Sequence, residues 1–183
     1  MSVPAKAEAV PIRPAATLML VDDRPDLQVL VLLRRKGSQF VGGMSVFPGG
    51  GVDEEDGARD VETLADGLDE KTARERLDLD RTGLAYWMAV VRETFEEAGV
   101  LLARRPNHAG PLSLDDPDLK QRFDAHRRAV DSGRALLADV LQAEGLRLAT
   151  DLIHYTGRWV TPVGPPRRYD TRHSGCDRHG TRG

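Results

Sequence analysis

A chain of 183 residues, 40% hydrophobic and 30% charged, carries enough apolar material for the core of one domain. A net charge of −3 and an aromatic fraction of 5% argue against a basic, base-stacking nucleic-acid surface, and no apolar run approaches the roughly 20 residues of a membrane span. The single cysteine, Cys176, excludes an intramolecular disulfide and fits a reducing, cytoplasmic setting.

Residues 1–16 lack the continuous apolar segment of a secretory signal and read as a flexible, Pro/Ala-rich lead-in. The aliphatic runs Thr17–Val21 and Leu27–Arg35, separated by DDRPD, predict a β-hairpin. A short strand, MSVF, leads into the glycine cluster PGGGVDEEDG. Residues 57–83 are highly charged and poor in large apolar side chains, with little from which to build a core; they read as an insertion holding one short exposed helix in DEKTARERLDL.

From Leu84 to Ala98 the pattern is strongly helical, with Gly99 placed to end the helix in the left-handed conformation. At about 100° per residue, Leu84, Trp87, Met88, Val91, Phe95 and Ala98 share one face. Glu93, Glu96 and Glu97 share the opposite one. Like charges at this spacing cost a helix about 0.2–0.5 kcal/mol per pair, so a compensating cation is expected. A glycine loop that approaches such a cluster suits Mg²⁺ or Mn²⁺, which prefer hard oxygen donors. Two amphipathic helices follow, in DPDLKQRFDAHRRAV and GRALLADVLQAEG, the first capped near Asp116 or Asp118, and LIHYTGRWVTP returns to strand character. Interleaved strands and helices predict an α/β or α+β fold.

The segment RETFEEAGV resembles the second half of the Nudix box, G-x5-E-x7-R-E-U-x-E-E-x-G-U, through Arg92, Glu93, Glu96, Glu97, Gly99 and Val100. Thr94 stands where that box has a bulky aliphatic residue. The first half is GGVDEED, with Gly50 followed by Asp56 in place of the glutamate. Between Asp56 and Arg92 lie 35 residues instead of seven, and the excess coincides with the insertion at 57–83. A box split here, together with FPGG and WVTP, resembles the branch that includes peroxisomal and mitochondrial coenzyme A diphosphatases and bacterial relatives.

This resemblance implies an α/β/α sandwich with a mixed sheet over residues 17–172, and a Nudix-type diphosphate hydrolase that uses Mg²⁺ or Mn²⁺. It implies Glu96 and Glu97 as metal ligands, Glu93 as a third ligand or a base, Arg92 as their orienting partner, and Gly50 as a backbone-carbonyl ligand. The implied partner is a small-molecule nucleoside diphosphate derivative, with coenzyme A or acyl-coenzyme A first and a nucleotide sugar or dinucleotide second. Neither nucleic acid nor a membrane is implied, and a homodimer is open. A catalytically silent binding module is the rival from another class.

Arg34, Arg35 and Lys36 have two readings, a solvated basic strand end or donors to the 3′-phosphate of coenzyme A, and Arg167 and Arg168 invite the same pair. Trp87 and Trp159 are expected in the core. His173, Cys176 and His179 have metal-like spacing but offer three ligands where structural zinc takes four. The final eleven residues, HSGCDRHGTRG, hold no aliphatic or aromatic side chain. They are expected to form a disordered tail behind an incomplete C-terminal part of the fold.

Overall fold

The structure is a computed structural model that describes residues 10–22, 25–33, 43–57 and 61–177. Its spine is β1 (Ile12–Asp22), whose alternation buries Ala16, Leu18 and Leu20 on one face. The short strands β2 (Gln28–Val29), β3 (Leu32–Leu33), β4 (Ser45–Val46) and β5 (Gly49–Gly51) follow. Helices α1 (Glu54–Gly57), α2 (Val61–Leu64), α3 (Glu70–Leu77) and α4 (Gly83–Ala98) come next. Then come β6 (Ala103–Arg104), α5 (Pro117–Asp131), α6 (Leu137–Glu144), β7 (Arg147–Leu148), β8 (His154–Val160) and β9 (Arg168–Asp177).

The main sheet is mixed, in the order β2-β1-β9-β8, with β5 also paired to β1. Strands β1 and β9 run parallel from Ile12 opposite Arg168 to Val21 opposite Asp177; the other pairs are antiparallel. The expected hairpin forms between β1 and β2, but its second run divides, and Leu32–Leu33 pairs instead with Val46 and Ser45 of β4. Helix α4 packs on the sheet, and its residues join those of α2, α3, α5 and α6 in one apolar cluster. This is an α/β fold. No helix among the described residues is long and apolar enough to cross a membrane.

Three expectations need correction. Strand β1 begins at Ile12, so residues 12–16 are sheet and not lead-in. Residues 173–177, expected in a disordered tail, complete β9 between β1 and β8. A strand with a neighbour on each side is held by two backbone ladders, which ask little of side-chain size. Cys176 is buried in the apolar cluster opposite Leu20, and Ser174 is buried opposite Leu18, so small side chains fit beneath the large ones of β1.

The third correction concerns the insertion. It does build core: Val61, Ala65, Leu68, Ala73 and Leu77 are all buried. Small and medium apolar residues are enough because the apolar cluster they join takes large side chains from α4, among them Leu84, Trp87 and Met88. Asp69 caps α3 by accepting from the Thr72 amide at 2.6 Å. Arg104, 6% exposed, joins Asp66 of the insertion at 2.7 Å and Asp151 at 2.5 Å. A buried guanidinium is tolerated there because both carboxylates and the Ala109 carbonyl accept from it.

Candidate active site

Helix α4 is buried along its whole first part, from Gly83 to Val91. Only its last turns open a polar side: Arg92, Glu93 and Glu96 are partly buried, and Glu97 is exposed. Thr94, on the inner side, is fully buried and donates its hydroxyl to the Val90 carbonyl at 2.7 Å, which satisfies the group that replaces an aliphatic. Gly99 ends the helix at φ 71°, with its amide bonded to the Phe95 carbonyl.

The glycine strand β5 comes directly against this turn. A β-carbon at Gly50 would collide with the Glu93 carboxylate, so glycine here lets that carboxylate sit directly against the strand, where a larger residue would push it aside. The Gly49 amide donates to Glu97 Oε2 at 3.0 Å. Between the carboxylates lies Arg92. Its Nε and Nη2 each donate at 2.9 Å to the two oxygens of Asp56, and Nη2 also reaches the Gly51 carbonyl at 2.9 Å. Its Nη1 donates to Glu93 at 2.8 Å and to Glu96 at 3.4 Å. Asp56, only 3% exposed, accepts from the Asp53 amide as well, so the shorter acid is fixed at both oxygens. The inserted segment leaves the chain after this bond and returns before Arg92, which keeps the two box halves together in space.

Charges here are coupled. Burial pushes the Glu93 carboxyl up to about 7, against the pull of Arg92 and with help from Glu96 and Glu97. Burial also raises Glu96, opposed by Arg92 and assisted by Asp131 and Asp56. Burial works against the Arg92 cation, but the Asp56 hydrogen bond and the charges of Asp56, Glu93 and Glu96 outweigh it, so its pKa stands above the ordinary value.

Among the described residues, no three His, Cys, Asp or Glu side chains are already gathered as a metal-holding group. Glu93 and Glu96 are turned to Arg92, and Glu97 to the Gly49 amide. By donor type these residues nonetheless fit a hard divalent cation: three carboxylates within two turns beside a glycine backbone. The burial that raises Glu93 and Glu96 is a cost which such a cation's charge would offset.

The structure thus brings Arg92, Glu93, Glu96, Glu97 and Gly50 together. Arg34, Arg35 and Lys36 lie outside the described residues, as does His179. Arg168 is bonded to the Thr161 carbonyl at 3.1 Å, while Arg167 is exposed. Trp87 is a core residue, 2% exposed, its indole N–H donating to the Ile153 carbonyl at 3.3 Å. Trp159 is not: it is 72% exposed on the edge strand β8, opposite Thr171, in the row that alternates with the buried Arg172.

Other residues at the site were not foreseen. Arg127 of α5 donates to the Glu96 carbonyl at 2.8 Å and the Glu97 carbonyl at 3.0 Å, closing the end of α4. Its place inside the polar run HRR gives no signal of that role. Asp53 stands 3.3 Å from Arg92, and it could have been suspected from its position in VDEED. Beside Arg92 and Glu96 opens a cleft of about 340 Å³, walled by α1, α4 and the turn from α5 into α6.

No protein-family model matches the chain. The structure is similar to the crystal structure of a NUDIX hydrolase from Alicyclobacillus acidocaldarius, with a TM-score of 0.67 and 30% sequence identity, over 92% of this chain and 70% of that one. The mixed sheet, the split box closed by the Asp56–Arg92 pair and this similarity agree: the chain belongs to the Nudix hydrolase family. It is a Nudix-type hydrolase with a small-molecule substrate, in a family that generally uses divalent metals.

Proposed function

We propose that this hydrolase cleaves the diphosphate of coenzyme A or an acyl-coenzyme A, giving 3′,5′-ADP and (acyl-)phosphopantetheine, with Mg²⁺ or Mn²⁺ as its cation. The observation that carries the reading is the last turn of α4: Glu93 meets Gly50, Glu97 meets Gly49, and Glu96 stands beside them on Arg92, which Asp56 clamps. The coenzyme A assignment is supported by the split box and by the partial resemblance of residues 32–50 to the segment that precedes the box in such diphosphatases.

Each residue has a definite task. Glu96, Glu97 and the Gly50 carbonyl would hold the cation, and Glu93 is a third donor or takes the proton from the attacking water. When bound, the cation neutralises the diphosphate and acidifies a water. Arg92 holds Glu93 and Glu96 together through one guanidinium nitrogen, and Asp56 fixes Arg92 so that the guanidinium stays with the carboxylates and leaves substrate phosphate to the cation. The Gly49 amide restrains Glu97 at the loop.

The test is mass-spectrometric product analysis after incubation with coenzyme A, acyl-coenzyme A, a nucleotide sugar and a dinucleotide, with the cation supplied or chelated. Cation-dependent 3′,5′-ADP that disappears in Glu97→Gln is expected. Cleavage of only another diphosphate would overturn the coenzyme A assignment and keep the site.

A further inference from the structure

Glu96 and Glu97 sit where a helix is weakest. The last carbonyls of a helix have no partner in a following turn, and that turn frays unless another donor meets them. In α4 the Phe95 carbonyl is taken by the Gly99 amide at 3.0 Å. The next two, on Glu96 and Glu97, are taken by a single side chain: Arg127 of α5 donates Nε to the first at 2.8 Å and Nη2 to the second at 3.0 Å.

Arg127 is itself held in place. Phe123 stands one turn before it on α5 and Val130 three residues after it, 1% and 5% exposed, and both join the apolar cluster that contains Phe95. These anchors set the height of the guanidinium against α4. Gly99 leaves room for it, since a β-carbon there would stand 3.0 Å from Nη1 and crowd the guanidinium. The carboxylates themselves are more loosely placed. Glu96 is held by a long bond, 3.4 Å to Arg92, and Glu97 is exposed, so the backbone beneath them carries much of their placement.

We infer that Arg127 is a positioning residue for the cation: by fixing the peptide carbonyls of Glu96 and Glu97 it sets the spacing of their carboxylates, so that cation affinity depends on how α5 is seated. The inference rests on the reading of Glu96 and Glu97 as cation ligands, whatever the substrate. Small hard cations demand oxygens near ideal positions, at about 2.0–2.1 Å for Mg²⁺. Side chains that meet such a demand need support from the groups behind them. Charge alone makes the opposite claim. A guanidinium beside the carboxylates repels a metal ion, so its removal would tighten binding. The sign of the change separates positioning from charge.

The experiment is Mn²⁺ titration of the full chain, with free Mn²⁺ read by electron paramagnetic resonance and the thermal midpoint followed by circular dichroism. Arg127→Ala is expected to weaken Mn²⁺ binding by about tenfold or more. Guanidinium, well below denaturing concentration, should restore part of that affinity, whereas methylammonium should not. Arg127→Lys keeps the charge but offers one nitrogen where two were bonded, and its affinity should fall between those of Arg127→Ala and the native protein. Unchanged or tighter binding in Arg127→Ala overturns the inference, as does a loss that follows a lowered midpoint and is not relieved by guanidinium. Should Arg127→Ala not fold, native affinity in Arg127→Lys overturns it. Glu97→Gln is the control for the ligand reading. If that variant binds Mn²⁺ as the native protein does, the ligand reading fails and the inference falls with it; if it binds weakly while Arg127→Ala binds normally, the inference alone fails.

Discussion

The two ends of α4 are held by different physics. At its start, Thr82 makes no side-chain cap, and Glu70 of the insertion takes that place, its two oxygens accepting from the Gly83 and Leu84 amides at 2.8 Å each. A carboxylate there meets both unsatisfied donors and the positive end of the helix dipole. The neighbouring residues are apolar and buried, so this end is set by packing. At the other end, Arg127 closes the carbonyls of Glu96 and Glu97, and the side chains around it are charged and half open to solvent. One helix thus separates stability from chemistry along its length, and substitutions at the two ends should fail in different ways.

The largest effect is expected from the acidic end. Glu93→Gln and Glu97→Gln should each lower turnover by about 10²–10⁴-fold, with little change in the thermal midpoint. A large loss of stability in either variant would erase the separation of roles. The inserted end should give the opposite result: Leu77→Ala, which empties a site 3% exposed, should cost about 2–5 kcal/mol in denaturant unfolding. The folded fraction should retain its cation affinity. Unchanged stability would mean that the insertion is only an appendage.

Asp56→Asn lies between these extremes, since it removes the acid that clamps Arg92. Cation affinity, read by Mn²⁺ titration, should weaken about 10–100-fold. Asp56→Glu should restore part of it, because the carboxylate is kept; a purely steric role would give no such rescue. Glu70→Ala should cost about 0.5–2 kcal/mol as a lost cap. The smallest and most conditional effect belongs to the sheet edge. The Arg158 hydrogen bond, against some burial and with help from Arg172, holds the Asp170 carboxyl below its usual 3.8. A lowered acid pKa contributes stability that is complete above that usual value and lost as pH falls through the lowered one. The stability gap between the protein and Asp170→Asn should therefore close on acidification below about pH 4. A gap constant with pH would assign it to packing.

Much of this was legible in the residues. Helical periodicity placed α4 within a residue of its observed start, and Gly99 marked its end, because a buried helix needs a continuous apolar stripe and glycine tolerates the left-handed stop. The spacing of Glu93, Glu96 and Glu97 put the carboxylates on one side before any fold was known. The cap of α5 was legible as Asp116 or Asp118, and Asp116 holds it, since such a side chain acts within three residues. Trp159 was not legible as a surface residue: a tryptophan on an edge strand has the same local pattern as one in a core. The tail failed for a related reason, since residues 173–177 gain their order from β1 and β8, which are distant in sequence.

The sequence by itself therefore determined what short-range physics can specify: the helix α4 and its glycine stop, the α/β character and the carboxylate face. Tertiary structure alone decided what depends on distant partners. It made Asp56 the clamp of Arg92 across an insertion, Glu70 the cap of a helix thirteen residues away, and Arg127 the closure of the acidic turn. It also set five carboxylates and the start of α6 around one cleft. Those arrangements join groups through space, where charge and burial act, and spacing along the chain does not encode them.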